Sequence, residues 1–311
     1  MDMEKTAPPE PYRPGRAVLQ GLLDLRPSLG VERAVVSVED AVEDAAARGL
    51  AVAKVYAFAS VDYPGAAQSV VLDSDGTTAV GAFDFDPSID RTTAFTFAGG
   101  VYQIPTVPGS AFSVATGING AGLIVGLYVD LASVLRGFAN NGGTFSNLDF
   151  PGASATQVIG VNDAGQMVGD YFDGTGEHGF VSDGGTFAAI DFPGATRTSA
   201  AGINAAGDIV GGCSDATGSH GFLLQAGVFT PISFPLATRT TPFGINDTGE
   251  IAGFYSDGAG KDHGFIYAGG AFSTVDVAAA RGTFLTRIKN GGLVTGVCYD
   301  ALNEGHGLTG Q

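Results

Sequence analysis

The sequence predicts an all-β fold, a six-bladed β-propeller, and three observations carry the prediction. From about residue 111 one motif string returns every 42 to 44 residues: Gly-Ile-Asn, Ile-Val-Gly-x-Tyr-x-x-Asp, His-Gly-Phe, then Asp-Phe-Pro-Gly-Ala. Each unit consists of short apolar runs parted by Gly-rich turns, and the 49 glycines follow no Gly-X-Y period. A repeat of roughly 40–45 residues built this way is one propeller blade. The final unit lacks its fourth strand, and a matching strand stands ahead of the first unit.

Taken in order, residues 1–15 are Pro-rich and charged and read as a disordered arm. Residues 16–50 read as a helical appendage. Leu19, Leu22 and Leu23 recur at helical spacing before Pro27, and a second helix opens at the N-cap Ser37, with Asp40 three residues on, and closes at Gly49. The propeller is expected over 51–311. Four units align well: 111–153, 154–195, 196–237 and 238–280. In each, a run ending in Gly-Ile-Asn or Gly-Val-Asn forms the innermost strand. An Asn-x-x-Gly turn follows (Asn119–Gly122, Asn162–Gly165, Asn204–Gly207, Asn246–Gly249), which suits a hairpin that needs side-chain acceptors and positive φ. The second strand reads LIVGLY, QMVGDY, DIVGGC or EIAGFY; the third starts at Phe138, Phe180, Phe222 or Phe265; the fourth reads TFSNLDF, TFAAIDF, VFTPISF or AFSTVDV.

Two degenerate units, 67–110 and 281–309, flank these. Residues 56–66, YAFASVDYPGA, match the fourth strand TFSNLDFPGA. The simplest closure makes 55–63 the outer strand of the last blade, a velcro joint that leaves no open sheet edge.

The motif string resembles the bacterial HAF-type repeat family, often described as probable extracellular repeat proteins. The likeness rests on stretches such as Gly160-Val-Asn-Asp-Ala-Gly-Gln-Met-Val-Gly169, His178-Gly-Phe and Ile190-Asp-Phe-Pro-Gly-Ala195, and covers about 55–309. It implies a repeat propeller, brings no catalytic residues with it, and suggests exported homologues. The stretch MDMEKTAPPEPYRPGR has no apolar core of a secretory signal, and with two cysteines in all it leads to the expectation of a cytoplasmic protein.

Charge narrows the partners. The chain carries 32 acids and 15 Lys and Arg, a formal net charge of −17. Such a field repels phosphate backbones and anionic bilayers, so nucleic acid and membrane are not expected partners.

The four histidines, His178, His220, His263 and His306, share one repeat position, five or six residues after Asp173, Asp215, Asp257 and Asp300. Equivalent mid-blade positions lie one blade apart and cannot converge on a single ion. They read as hydrogen bonds pinning a loop within each blade, and no metal or cofactor is expected. Asp73-Ser-Asp-Gly76 reads as a hairpin turn, since a calcium loop would supply a later bidentate Glu. Cys213 and Cys298 stand where other units have Tyr128, Tyr171 and Tyr255, and read as core substitutions.

The informative positions are those where the repeat breaks at the axis. Gln157, Arg197, Arg239, Phe243, Phe284 and Arg287 are expected near one channel mouth. Arginine suits carboxylate or phosphate groups, and phenylalanine supplies an apolar wall. The competing expectation pairs these arginines with Asp149, Asp191 and Asp276 at the blade tops. The function expected first is a binding module for a small anionic, partly apolar ligand. The alternatives are an enzyme of specialised metabolism (lyase, hydrolase or cyclase) at the same mouth, with catalytic residues not identified, and a scaffold whose residues 16–50 dock a protein partner.

Overall fold

The computed structural model describes residues 56–84 and 92–311. The expected arm (1–15) and helical appendage (16–50) lie outside the described residues.

The described chain forms 24 strands in six antiparallel four-stranded blades. Blade 1 holds β2 (Gln68–Ser74), β3 (Thr78–Asp84), β4 (Thr92–Ala98) and β5 (Val101–Gln103). Blade 2 holds β6 (Ser110–Ile118), β7 (Leu123–Asp130), β8 (Leu135–Asn141) and β9 (Thr144–Leu148). Blade 3 holds β10 (Ala155–Val161), β11 (Met167–Phe172), β12 (Glu177–Asp183) and β13 (Thr186–Ile190). Blade 4 holds β14 (Arg197–Ile203), β15 (Ile209–Asp215), β16 (Gly218–Gln225) and β17 (Val228–Ile232). Blade 5 holds β18 (Arg239–Ile245), β19 (Ile251–Ser256), β20 (Asp262–Ala268) and β21 (Ala271–Val275). Blade 6 holds β22 (Gly282–Ile288), β23 (Val294–Tyr299) and β24 (Gly305–Gly310), and is completed by β1 (Phe58–Ser60).

The velcro joint is therefore as the repeat demands. Phe58, Ala59 and Ser60 pair with Gly310, Thr309 and Leu308, and the Val61 amide donates to Gly307 O at 2.8 Å. Between blades the core is one large side chain from each third strand: Phe95, Phe138, Phe180, Phe222, Phe265 and, in blade 6, Leu308 are buried.

The repeated glycine of each second strand is required by close approach. A Cβ on Gly81, Gly126, Gly169 or Gly211 would lie within 2.0 Å of a carbonyl oxygen of the innermost strand. The register shifts at that level in all six blades, leaving Leu72, Thr116, Ile159, Ala201, Phe243 and Thr286 as bulged residues. A bulge frees backbone groups from the ladder and turns the strand toward the axis.

The turn asparagines tie blades together as well as closing hairpins. Asn119 Nδ2 donates to Asn162 O at 3.0 Å and Asn162 Nδ2 to Asn204 O at 2.9 Å. This is why Asn, with both an acceptor and a donor, recurs at a position that a hairpin alone would leave to Asp or Gly. These turns occupy one face of the ring. The loops after the second and fourth strands occupy the other face, which forms the mouth.

Candidate ligand site in the axial cavity

Arg287 divides the axis. At its place in the innermost strand blades 2 to 5 carry Gly117, Gly160, Gly202 and Gly244, and blade 1 carries Asp73. The glycines leave the axis open, and the Arg287 side chain fills it. Nη1 donates to Phe243 O at 2.9 Å and Thr286 O at 2.8 Å; Nη2 donates to Thr116 O at 3.3 Å and to Ile159 O. Those four acceptors are bulge carbonyls, so one planar fork with five donors serves groups that the sheet ladder leaves exposed. Asp73 Oδ2 lies 3.8 Å from Arg287 Nε, and Lys289 Nζ reaches Asp73 Oδ1 at 2.8 Å. Burial pushes the guanidinium below its usual range, and Asp73 acts against that shift. Asp73 also accepts from the amides of Ser74 and Ile118, and Asp75 accepts from Thr77 and Thr78 within its hairpin.

Above this plug, on the mouth side, lies a cavity of about 280 Å³. Its layers follow from the two innermost strands. The first-strand residue and its second-strand partner are Val70/Ala82, Val114/Leu127, Gln157/Asp170, Ser199/Gly212, Thr241/Phe254 and Phe284/Val297 for blades 1 to 6. Blades 1 and 2 thus present apolar groups and blades 3 and 4 polar ones. Leu72, Val114, Leu127, Leu135, Phe243 and Phe254 form the apolar wall.

The polar wall is centred on Asp170, a carboxyl that is 2% exposed. Gln157 Nε2 donates to its Oδ2 at 3.0 Å, Ser199 Oγ donates at 3.1 Å, and the Ala200 amide donates to Oδ1 at 3.1 Å. Burial pushes the Asp170 carboxyl well above the usual carboxylate range, and the Glu177 charge adds to the rise; the three hydrogen bonds act against it. Glu177 is itself held by Arg197, whose Nε donates to Oε2 at 2.9 Å and whose Nη2 contacts the same oxygen.

Of the residues expected at the mouth, Gln157, Arg197, Arg239, Phe243 and Arg287 line this cavity. Phe284 lies behind the lining, buried, with its ring centroid 4.7 Å from that of Phe254. The arginines differ in what they already hold. Arg287 is spent on carbonyls and Arg197 on Glu177. Arg239 stacks on Phe254 with its Cζ 4.6 Å from the ring centroid, and its nearest carboxylate, Asp262, is 3.6 Å away, beyond hydrogen-bond range. The blade-top acids have other partners: Asp149 takes Arg136 at 2.7 Å, Asp191 takes His178 at 2.7 Å and Asp276 takes His263 at 2.7 Å.

Asp170, Glu177 and Ser199 were not among the expected residues. A signal was present: five repeats carry Ala82, Leu127, Gly212, Phe254 or Val297 at the place of Asp170. An acid in a slot that is otherwise apolar or empty marks the axis-facing polar wall.

The histidine position falls opposite Phe83, Tyr128, Tyr171, Cys213, Tyr255 and Cys298 in the six ladders, occupied by Thr93, Arg136, His178, His220, His263 and His306. His178 is pinned on both sides, Nδ1 to Asp191 and Nε2 to Thr175 at 2.9 Å. In blade 4 Ser233 stands where blades 3 and 5 have those acids, and Cys213 replaces the tyrosine that elsewhere stacks on the histidine. The cavity extends into that space, past Cys213 and His220. Burial pushes the Cys213 thiol up to about 11, so it is no ready nucleophile. Asp300, Glu304 and His306 converge at the top of blade 6, but Asp300 Oδ1 accepts two turn amides and His306 Nδ1 lies 3.1 Å from Asp62.

Comparison with known proteins adds the fold. No protein-family model matches the chain, and no curated protein matches it. The HAF-type resemblance therefore rests on the repeat motifs alone. Among solved structures, TolB from Acinetobacter baumannii superposes with a TM-score of 0.55 at 10% identity, covering 76% of this chain and 64% of that one. The chain thus spans less than two thirds of TolB. An AofleA mutant from Arthrobotrys oligospora superposes at 0.50 with 13% identity, covering 80% and 85%. The fucose-recognising lectin of Aleuria aurantia, described as a six-bladed β-propeller, superposes at 0.48 with 13% identity, covering 78% and 90%. At these identities the likeness is one of fold. Among the described residues no helix is long and apolar enough to cross a membrane.

Proposed function

We propose that the protein binds a small, partly apolar organic acid in the axial cavity, with the ligand's carboxylate against Arg239. The observation that carries this reading is the division of one 280 Å³ cavity into an apolar and a polar wall, with Arg239 at the rim, stacked on Phe254 and ion-paired to Asp262 at 3.6 Å but, among the described residues, hydrogen-bonded to no carboxylate. A stacked guanidinium is already oriented, so little side-chain freedom is lost when it grips a carboxylate. Arg197 has its donors on Glu177 and Arg287 has its donors on carbonyls, whereas Arg239 holds Asp262 only as a 3.6 Å ion pair. Charge therefore favours a single acidic group on the ligand rather than a polyanion.

A thermal-shift series with benzoate, phenylacetate and their hydroxylated forms tests the reading. At about a hundredfold excess over Kd, binding raises stability by about 2.7 kcal/mol, or roughly 5–10 °C in Tm for a ring of this size. Arg239→Ala should abolish that rise while leaving the unliganded Tm within about 2 °C, as expected of a partly exposed residue. Equal shifts in the variant would place the acid elsewhere.

An enzymatic reading draws on Asp170. A buried carboxyl that burial, and next the neighbouring Glu177, push toward its protonated form is the kind of group that general acid catalysis uses. Asp170→Asn abolishing turnover of a bound acid without weakening its binding would move this reading ahead.

A further inference from the structure

The amide of Gln157 is held at one end only. Its side chain is buried at 1% exposure in the polar wall; Nε2 is fixed on Asp170, and Oε1 has no hydrogen-bond partner among the described residues. In the same slot the other blades carry Val70, Val114, Ser199, Thr241 and Phe284. Two of those are short hydroxyls and three are apolar. A buried amide is the costliest choice for that layer unless something meets its free end, since an orphaned acceptor carries its full desolvation penalty.

We propose that Gln157, oriented by Asp170, is the specificity-determining residue of the cavity, and that its free amide end takes a hydroxyl group on the ligand. The inference rests on the cavity being the ligand site, and adds which ligand it selects. Asp170 leaves one end of the amide free whichever way the amide faces. If the carboxyl accepts from Nε2, Oε1 is free and needs a donor. If the amide turns so that Oε1 faces a protonated carboxyl, Nε2 is free and needs an acceptor. A hydroxyl both donates and accepts, so it completes the site in either state; an ammonium or an ether completes only one. Ser199 Oγ and the Ala200 amide hold the carboxyl from the far side, in blade 4, so the amide is fixed from two blades. The ligand is thus an organic acid with an apolar body and a hydroxyl set apart from its carboxylate.

The test uses matched probes on the full chain. Benzoate and its three monohydroxy isomers are titrated calorimetrically into the native protein, Gln157→Leu and the near-isosteric Gln157→Met. One hydroxy isomer should bind the native protein about tenfold more tightly than benzoate, the value of one well-made hydrogen bond. Both variants should lose that preference and bind the four acids alike, and a cooperative melt of each reports that it is folded. If none of the four acids binds the native protein, the cavity reading itself falls and this one with it. If benzoate binds and no isomer is preferred, or the preference survives in both variants, the assignment of Gln157 alone is overturned.

Discussion

Replacing Arg287 by Ala removes the plug that joins the blades at the axis. Four carbonyls, from Thr116, Ile159, Phe243 and Thr286, lose their donor. Asp73 loses a cation at 3.8 Å but keeps Lys289 at 2.8 Å and two amide donors, so its charge is not stranded. Breaking a buried pair outright costs about 3–5 kcal/mol. The surviving Lys289, the mouth-side cavity and a smaller one of about 70 Å³ on the asparagine-turn side, which admit water to the freed carbonyls, place the loss near the lower end, about 3 kcal/mol. At roughly 2–4 °C per kcal/mol, Tm should fall by about 6–12 °C. Arg287→Lys keeps a charge for Asp73 but one ammonium cannot span acceptors from four blades, so it should recover less than half. Urea titration and calorimetry of both variants measure the effect. An Arg287→Ala protein melting within about 2 °C of the native one would refute the plug.

Two further outcomes follow from the ring and its pins. A chain beginning at residue 67 lacks β1 and leaves β24 an open edge. It should melt at clearly lower urea, and a peptide of residues 55–66 in excess should restore the lost stability; equal stability without the peptide would exclude the joint. His178→Ala should cost about 1–2 kcal/mol at pH 6 in urea titration. The Asp191 hydrogen bond raises the His178 pKa above its ordinary value, so this contribution is complete below the unfolded pKa of about 6.5 and fades as pH rises through the folded one. A gap between native and variant that stays constant or widens from pH 6 to pH 9 would contradict it.

The blades were legible because they are a local property repeated. Hairpin turns at Asn119–Gly122 and its equivalents, apolar alternation, and a crowding glycine such as Gly169 all act within about 40 residues. The closure was legible for the same reason, since residues 56–66 carry the pattern of a strand whose blade lies at the other end of the chain. The histidine pins were legible as a position, but Asp191 and Asp276, expected as partners of the mouth arginines, turn out to hold His178 and His263.

The site was legible only in outline. Its residues were sought where the repeat broke, and five of the six do line the cavity. Their roles depended on depth. Arg197 and Arg239 open their strands at the rim, whereas Arg287 lies beyond the bulge, at the level of Gly244, where its fork meets carbonyls instead of a ligand. Phe284 shares a layer with Gln157 but turns into the packing against Phe254.

By itself, then, the sequence determined the number of blades, their strand order, the joint that closes them and the positions that depart from the repeat. Only the tertiary structure decided which departures neutralise one another. Glu177 meets Arg197 across a blade boundary, Asp73 meets Arg287 across the closure, and Asp170 reaches Ser199 in the next blade. The physical reason is that propensity and alternation act between neighbours in the chain, whereas charge pairing and burial act between neighbours in space, and at the axis of a ring every blade is a neighbour of the others.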